Sequence, residues 1–143
     1  MARVVILPER DLAWAAGFFD GEGSVTVSTM RAAYGTYYYP NVQIGQKHPK
    51  VLYWFQKHWG GSVSAHRQKG TGNADQGRVY TTSHWMVATA QCRNFLADIQ
   101  PYVRCKRTQV DYVLSRPRLS LTKEEREVLS SMKGEDLWPE LSY

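Results

Sequence analysis

The sequence of 143 residues contains only two cysteines, Cys92 and Cys105. Small secreted proteins that depend on disulfides have many more, so a disulfide framework is excluded. No Cys-x-x-Cys pair and no histidine at ligand spacing accompanies the two cysteines, which argues against a structural zinc site. We interpret both as buried free thiols.

Long apolar runs are absent as well. No segment approaches the roughly 20 residues that a membrane-spanning helix needs. The apolar start of the chain is too short, and too soon followed by Pro8, to be a signal peptide. The length suits one domain with its own core. We therefore expect a single soluble domain over 1–143 that is neither secreted nor membrane-bound, located in the cytoplasm of a prokaryote or in an organelle of a eukaryote.

Acidic residues are scarce in the middle of the chain. Residues 24–119 carry 13 lysine and arginine residues and 3 acidic residues, a local charge of +10, whereas the whole chain carries +5 because both ends are acidic. A generic solvated surface would explain the excess of positive charge but not its concentration. A basic segment with interleaved tyrosines is typical of nucleic-acid binding.

Hydrophobic periodicity predicts an α+β fold in the order α-β-β-α-β-β-α-α-α. The expected helices cover about 11–19, 49–59, 90–99, 101–115 and 122–133, and the expected strands cover 24–30, 37–46, 62–68 and 78–88. Loops are expected at 31–36 and 69–77, and the glycines of the second loop do not satisfy the dinucleotide pattern G-x-G-x-x-G. A core of about 9–115 is thus followed by a helical tail of about 120–143, which opens with the capping box Thr122 to Glu125.

The stretch Leu12 to Gly23 joins an apolar helix to two carboxylates that alternate with glycines. Asp20 and Glu22 lie at the negative end of the helix dipole, which favours a bound cation, and Gly21 and Gly23 are expected to provide positive φ angles. The alternative is an ordinary amphipathic helix with a glycine-rich end. An EF-hand is excluded, because the twelfth loop position is Arg31 instead of a bidentate carboxylate.

This helix has two stripes that predict two buried faces. One stripe, made of Leu12, Ala15 and Phe19, is expected in the core of its own subunit. The other stripe consists of small residues on which a second helix could pack closely, and we expect it to form a dimer interface: Ala13, Ala16, Gly17 and Asp20.

Strand alternation separates inward from outward side chains. Val42 and Ile44 are expected to face the core, and the opposite face carries hydroxyl and amide groups that can pair with base edges in a major groove. An ordinary hydrated sheet face is the alternative. In the second hairpin either alternating set could face DNA, and we favour the set that contains Tyr80, Thr82 and His84.

Residues Ala15 to Gly23 read AAGFFDGEG and precede the strand-like Ser24 to Ser28. Together they resemble the signature of the LAGLIDADG homing endonucleases. The resemblance implies an α-β-β-α-β-β-α core with a four-stranded antiparallel DNA-binding saddle, followed here by extra C-terminal helices. The motif occurs once, which in that family implies a homodimer. The implied activity is intron homing: metal-dependent hydrolysis of both strands of a long palindromic or pseudo-palindromic target across the minor groove, leaving 3′ overhangs.

The resemblance also implies site residues. Glu22 and the backbone carbonyl of Gly21 would hold Mg²⁺, with Mn²⁺ as a substitute; glutamate here replaces the commoner aspartate and alters the metal geometry. Gln46 and Lys106 match the polar and basic positions of the family's solvent network, and Lys50 adds a further cation. Without the motif, Gln46 would be interpreted as a strand cap and Lys106 as a solvated helix lysine.

The predicted DNA-contacting residues come from both hairpins: Ser24, Thr26, Ser28, Arg31, Tyr37, Tyr39, Asn41, Gln43, Arg67, Lys69, Arg78, Tyr80, Thr82 and His84. Three other functions compete with the endonuclease. A DNA-binding regulator without cleavage and an intron RNA splicing maturase would keep the fold, although no specific signal indicates RNA. A small-molecule-binding α/β domain would not, and no pocket-forming motif favours it.

Overall fold

The computed structural model describes residues 7–69, 77 and 79–133, without the side chains of Gln68, Lys69 and Tyr80. Within these residues the order α-β-β-α-β-β-α-α-α confirms the prediction. The elements are α1 (Glu9–Glu22), β1 (Gly23–Ala32), β2 (Gly35–Gln46), α2 (Lys50–Trp59), β3 (Ser62–Lys69), β4 (Val79–Ala88), α3 (Thr89–Ile99), α4 (Arg107–Ser115) and α5 (Lys123–Ser131).

The four strands form one antiparallel sheet in the order β1-β2-β4-β3. Its register pairs Val25 with Val42 and Ile44 with Trp85, so the large apolar side chains share one face. Helices α1, α2 and α3 pack on that face and bury all four of these side chains. The predicted α+β class with a four-stranded antiparallel sheet is therefore confirmed.

Aromatic rings fill the space between the helices and the sheet. Phe55 and Phe95 lie 5.2 and 5.1 Å from the ring of Trp85, which is fully buried. The indole N–H of Trp85 donates to the carbonyl of Gly60 at 2.8 Å, so the burial of this polar group is compensated. Gly60 adopts φ of +81° where α2 ends, which only glycine adopts readily.

The C-terminal helix α5 belongs to the same core. Thr122 and Glu125 form the predicted capping box, and the bonded Thr122 N–H lowers the pKa of the Glu125 carboxyl. The backbone N–H of Leu121 donates to the carbonyl of Tyr38 at 2.6 Å, which joins this segment to β2. Leu121 and Leu129 are buried in the core, whereas the predicted end of the helix at Gly134 lies outside the described residues.

Two expectations about the ends of helices are wrong. Helix α1 ends at Glu22 instead of Phe19, and neither Gly21 nor Gly23 adopts a positive φ. Gly23 is required for a steric reason, because a Cβ there would lie 2.5 Å from Cδ1 of Phe19. The helix expected from Pro101 begins only at Arg107, since residues 101–106 form turns.

Two smaller expectations also need correction. Arg31 lies within β1 instead of a loop, because the β1–β2 pairing continues to Ala32 and Gly35. Cys92 is buried as expected, but Cys105 is exposed in the turns before α4. In the described part of the chain, no helix combines the length and the apolar character needed to cross a membrane.

Candidate nucleic-acid interface and active site

The C-terminal end of α1 presents oxygen atoms that the helix itself does not use. The carbonyl of Phe19 accepts a hydrogen bond from the N–H of Gly23, and the carbonyl of Asp20 accepts one from Nζ of Lys106 at 2.5 Å. Glu22 and Gly21 are exposed beside them. The Gly21 carbonyl and the Glu22 carboxylate are therefore the oxygens that this helix end offers to a ligand.

Asp20 has a different role from Glu22. Its carboxylate accepts hydrogen bonds from the backbone N–H groups of Arg104 at 2.7 Å and Lys106 at 3.1 Å. The carboxylate thus holds the turns before α4 against α1, within one subunit. These bonds give Asp20 a role within its own chain, and its predicted part in a dimer interface stays a prediction.

Lys106 lies beside the motif helix, although 84 residues separate it from Glu22 in sequence. Its Nζ lies 5.7 Å from the centre of the buried Phe19 ring, and the side chain is half-buried. A cation at the negative end of a helix is electrostatically favourable. The fold therefore brings Lys106, the basic residue predicted for the site, to the end of α1.

Gln46 ends β2 and Lys50 begins α2, four residues later. The register pairs Gly23 with Ile44, which directs the preceding Glu22 toward Gly45 and Gln46. Gln46 is half-buried, and Lys50 is exposed at the start of α2. Within the described residues neither side chain forms a hydrogen bond or ion pair with Glu22, and the register relates only Gln46 to it.

The face of the sheet opposite the helices is uncovered. Its side chains offer hydroxyl, amide, imidazole and thioether groups and, among the described residues, neither lysine, arginine nor carboxylate. They are Ser24, Thr26, Ser28 and Met30 in β1, Tyr37, Tyr39, Asn41 and Gln43 in β2, Ser62, Ser64 and His66 in β3, and Thr82, His84 and Met86 in β4. The favoured outward set of the second hairpin, as far as it is described, lies on this face.

Several of these side chains contact one another. The amide of Asn41 donates to the hydroxyl of Ser28, and Asn41 is only 3% exposed, so it is not the free base-reading group that its position suggested. The rings of His66 and His84 lie 5.4 Å apart. The hydroxyl of Thr26 is buried and has no hydrogen-bond partner among the described residues.

Some predicted DNA contacts lie elsewhere. Arg31 and Arg67 project from the helix-side face, since they alternate with the uncovered residues along β1 and β3. Arg78 and the side chains of Lys69 and Tyr80 lie outside the described residues. Ser62, Ser64 and His66 of β3 lie on the uncovered face and were not among the predicted DNA contacts, although the apolar Val63 between the two serines marks the opposite face.

Part of the basic segment stabilises the fold. Arg93 donates to the carbonyls of Val113 and Leu114 at 3.0 and 3.1 Å, where α4 ends. Arg116 and Arg118 both pair with Glu125. The concentration of positive charge in the sequence therefore does not correspond to one basic surface.

The small-residue stripe of α1 is divided between two environments. Ala16 is fully buried in its own subunit, which corrects its assignment to a dimer interface. Ala13 and Gly17 are exposed, and they line an open groove together with Asp20 and the turns at 101–105.

Neither models of protein families nor curated proteins match this sequence significantly. Solved structures do match. Two structures of the homing endonuclease I-CvuI in complex with a target are similar, both with a TM-score of 0.57. The first is 24% identical and covers 74% of this chain and 64% of that chain. The second is 20% identical and covers 86% of this chain and 94% of that chain. The archaeal intron-encoded homing endonuclease I-Vdi141I complexed with DNA is 21% identical over 87% of this chain and 69% of that chain, with a TM-score of 0.53.

A third similar protein is the LAGLIDADG homing endonuclease I-SmaMI bound to cleaved DNA. It is 16% identical over 94% of this chain, with a TM-score of 0.52, and this chain spans only 47% of its length. The chain therefore has the fold of the LAGLIDADG homing endonucleases.

Proposed function

We propose that this chain is a site-specific DNA endonuclease that acts as a homodimer and cuts both strands of a long duplex target. The observation that carries the proposal is the hydrogen bond from Nζ of Lys106 to the Asp20 carbonyl. This bond holds Lys106 at the end of α1, where Glu22 is exposed and β1 of the uncovered sheet face begins. Hydrolysis of a phosphodiester needs a positioned water, a metal ion and a cation near the developing negative charge. The candidate groups are Glu22 and the Gly21 carbonyl for the metal ion, Gln46 for the water and Lys106 for the cation.

Divalent metal binding fits the oxygens at this helix end. The described residues contain no group of three histidine, cysteine, aspartate or glutamate side chains that could hold a metal by themselves. Mg²⁺ does not need such a group, because it is commonly bound by one or two carboxylates and keeps several waters. Glu22 and the Gly21 carbonyl would hold the ion, with Mn²⁺ as a substitute, and the ion would supply an activated water and charge neutralisation.

The protein groups around that position have distinct proposed roles. Gln46, at the end of β2, orients the attacking water through its amide. Lys106 stabilises the negative charge that develops on the phosphate, since its ammonium group is held beside the helix end by the Asp20 carbonyl. Lys50, at the start of α2, supplies a second positive charge.

The uncovered sheet face is the proposed surface for double-stranded DNA. Its hydroxyl and amide groups suit base edges in the major groove, where each base pair has a distinct pattern of donors and acceptors. The ten residues of β1 span about 33 Å at about 3.3 Å each, which corresponds to roughly 10 base pairs. The DNA complexes of I-CvuI and I-Vdi141I support this assignment.

Two copies of the chain are proposed to pair through the exposed part of the α1 stripe. Ala13 and Gly17 leave space for a second helix backbone, and the match to about half of I-SmaMI supports a two-copy assembly. A two-fold axis would give two equivalent Glu22 sites and a palindromic or nearly palindromic target with matching half-sites.

Selection of cleaved sequences from a random duplex library, in the presence of Mg²⁺, tests the proposal. We expect one long, nearly palindromic sequence to be enriched, with breaks in both strands that leave 3′ overhangs. The Glu22→Gln variant should bind that sequence as tightly as the native protein but leave it intact. Binding without cleavage by the native protein would instead indicate a regulator, and a preference for structured RNA would indicate a maturase.

A further inference from the structure

A groove on the helix side of the β1–β2 hairpin contains two arginines. It lies between the hairpin and α5, and we call it the Arg31–Arg126 groove. Its lining residues are Thr29, Arg31, Thr36, Tyr38 and Arg126. The groove lies on the opposite face of the sheet from the proposed DNA surface, and Arg31 lies eight residues along β1 from Gly23, a distance of about 26 Å.

The groove is held in shape by local contacts. The register pairs Thr29 with Tyr38 and Arg31 with Thr36, so these four side chains share one face. The Leu121 N–H bond to the Tyr38 carbonyl fixes the start of α5 against β2. The guanidinium carbon of Arg126 lies 4.6 Å from the centre of the Tyr38 ring, a cation–π contact that holds this group beside Tyr38 at the groove.

The charges in the groove are not balanced by carboxylates. Arg31 is the only lysine, arginine, aspartate or glutamate in residues 23–46. Among the described residues, neither Arg31 nor Arg126 forms a salt bridge. On α5, Glu125 already bonds to Thr122, Arg116 and Arg118, and Glu127 lines the adjacent groove.

We propose that the Arg31–Arg126 groove binds a phosphate group, either free or carried by a nucleic-acid strand. Arg31 and Arg126 line one concavity, where their like charges repel each other, and an anion bound between them would offset that repulsion. A phosphate oxygen accepts bidentate hydrogen bonds from arginine, and the hydroxyls of Thr29, Thr36 and Tyr38 add neutral donors. This site is separate from the proposed catalytic end of α1, so its test does not depend on DNA cleavage.

Titration of the full chain with pyrophosphate, followed by backbone amide NMR, tests the proposal. We expect saturable shifts confined to the β1–β2 hairpin and the first turns of α5. Arg31→Gln and Arg126→Gln should each weaken binding about tenfold or more, which is the loss expected for one charge-assisted contact. Arg10→Gln is the matched control, because the side chain of Arg10 is 87% exposed on α1 and it should leave the affinity unchanged.

Two further arms identify the source of the phosphate. A short single-stranded oligonucleotide that shifts the same amides and displaces pyrophosphate indicates a nucleic-acid strand, whereas binding of pyrophosphate alone indicates a free anion. Arg31 is exposed and contributes no side chain to the core, so Arg31→Gln tests the site even if Arg126→Gln loosens α5. Absence of saturable binding, or an equal loss in all three variants, would overturn the proposal.

Discussion

Asp20 and Lys106 bond to each other twice. The carboxylate of Asp20 accepts the backbone N–H of Lys106 at 3.1 Å, and the carbonyl of Asp20 accepts the Nζ of the same lysine. The first acidic residue of the motif therefore fixes both the backbone and the side chain of Lys106. The second, Glu22, is left exposed two residues later. The two carboxylates have different environments, which leads to different predictions for their loss.

Asp20→Asn should destabilise the fold by about 1–2 kcal/mol, because an amide oxygen replaces a charged acceptor of two backbone N–H groups. Urea unfolding measures this difference. Glu22→Gln is the matched control, since Glu22 is exposed and its charge lies unfavourably at a helix C-terminus. Its unfolding free energy should be unchanged or slightly higher. Equal destabilisation by both substitutions would contradict the assignment of Asp20 as the residue that holds the turns before α4.

Lys106→Met should slow cleavage more than it weakens DNA binding. Methionine keeps apolar packing over Phe19 but removes the positive charge proposed to stabilise the transition state. Single-turnover cleavage at saturating protein gives the chemical rate, and a binding titration in Ca²⁺ gives the dissociation constant. A change in the dissociation constant alone would make Lys106 a phosphate contact without a role in the chemical step.

The two cysteines should differ sharply in reactivity. Burial raises the pKa of the Cys92 thiol to about 12, and the thiolate is the reactive form, whereas Cys105 is exposed. Iodoacetamide at pH 8 should therefore add one label to each folded chain, at Cys105, and two labels in denaturant. Cys105→Ser should abolish labelling of the folded protein. Rapid labelling of Cys92 in that variant would show that the core around α3 opens readily.

The salt dependence of DNA binding should be smaller than the basic sequence suggests. Phosphate contacts release counterions, and each contributes about one unit to the slope of log affinity against log salt. Arg118 pairs with Glu125, so Arg118→Gln should leave the slope unchanged. Lys50 is exposed at the start of α2 and is proposed to supply a positive charge to the phosphate, so Lys50→Gln should lower the slope by about one unit. A lower slope for Arg118→Gln would mean that its ion pair opens toward DNA.

Much of the fold could be predicted because its determinants are local. Alternation of Val25 and Val27 with polar residues marks β1, and Thr122 with Glu125 marks the start of α5. The predicted end of α1 at Phe19 is too early, because Asp20 and Gly21 resemble a helix stop whereas the helix continues to Glu22. The bonds from Asp20 to Arg104 and Lys106 span more than 80 residues, so no local pattern reveals them.

The candidate site could be predicted only in part. The resemblance to the motif predicts Glu22 and Lys106 as site residues, and the fold brings Lys106 to the end of α1. Arg31 and Arg67 were predicted as DNA contacts because they are charged. The alternation of side chains along β1 and β3 assigns both to the helix-side face. Ala16 has the size expected of a helix contact, but sequence does not show which small residues the protomer itself buries.

Gly17→Leu should prevent dimer formation without lowering the stability of the protomer. A Cβ at Gly17 would meet no atom within 4 Å in the single chain, so the protomer can accept a side chain there. Leucine is also the better helix former by about 0.5–1 kcal/mol, and the variant protomer should unfold at the same or a higher urea concentration. If two α1 helices pair across Ala13 and Gly17, the same side chain overpacks their contact. Sedimentation equilibrium should then show a native dimer and a variant monomer.

Gly23→Ala provides the control for this pair of measurements. Its Cβ would lie 2.5 Å from the Phe19 ring, so it should destabilise the protomer although the exposed stripe of Ala13 and Gly17 is untouched. Gly23→Ala should therefore lower the urea concentration at the midpoint of unfolding. Gly17→Leu should change only the sedimenting mass, from that of a dimer to that of a monomer. A Gly17→Leu protein that sediments as a dimer at the native concentration would refute pairing through α1, because a leucine on each helix leaves no room for the close approach that the glycine permits.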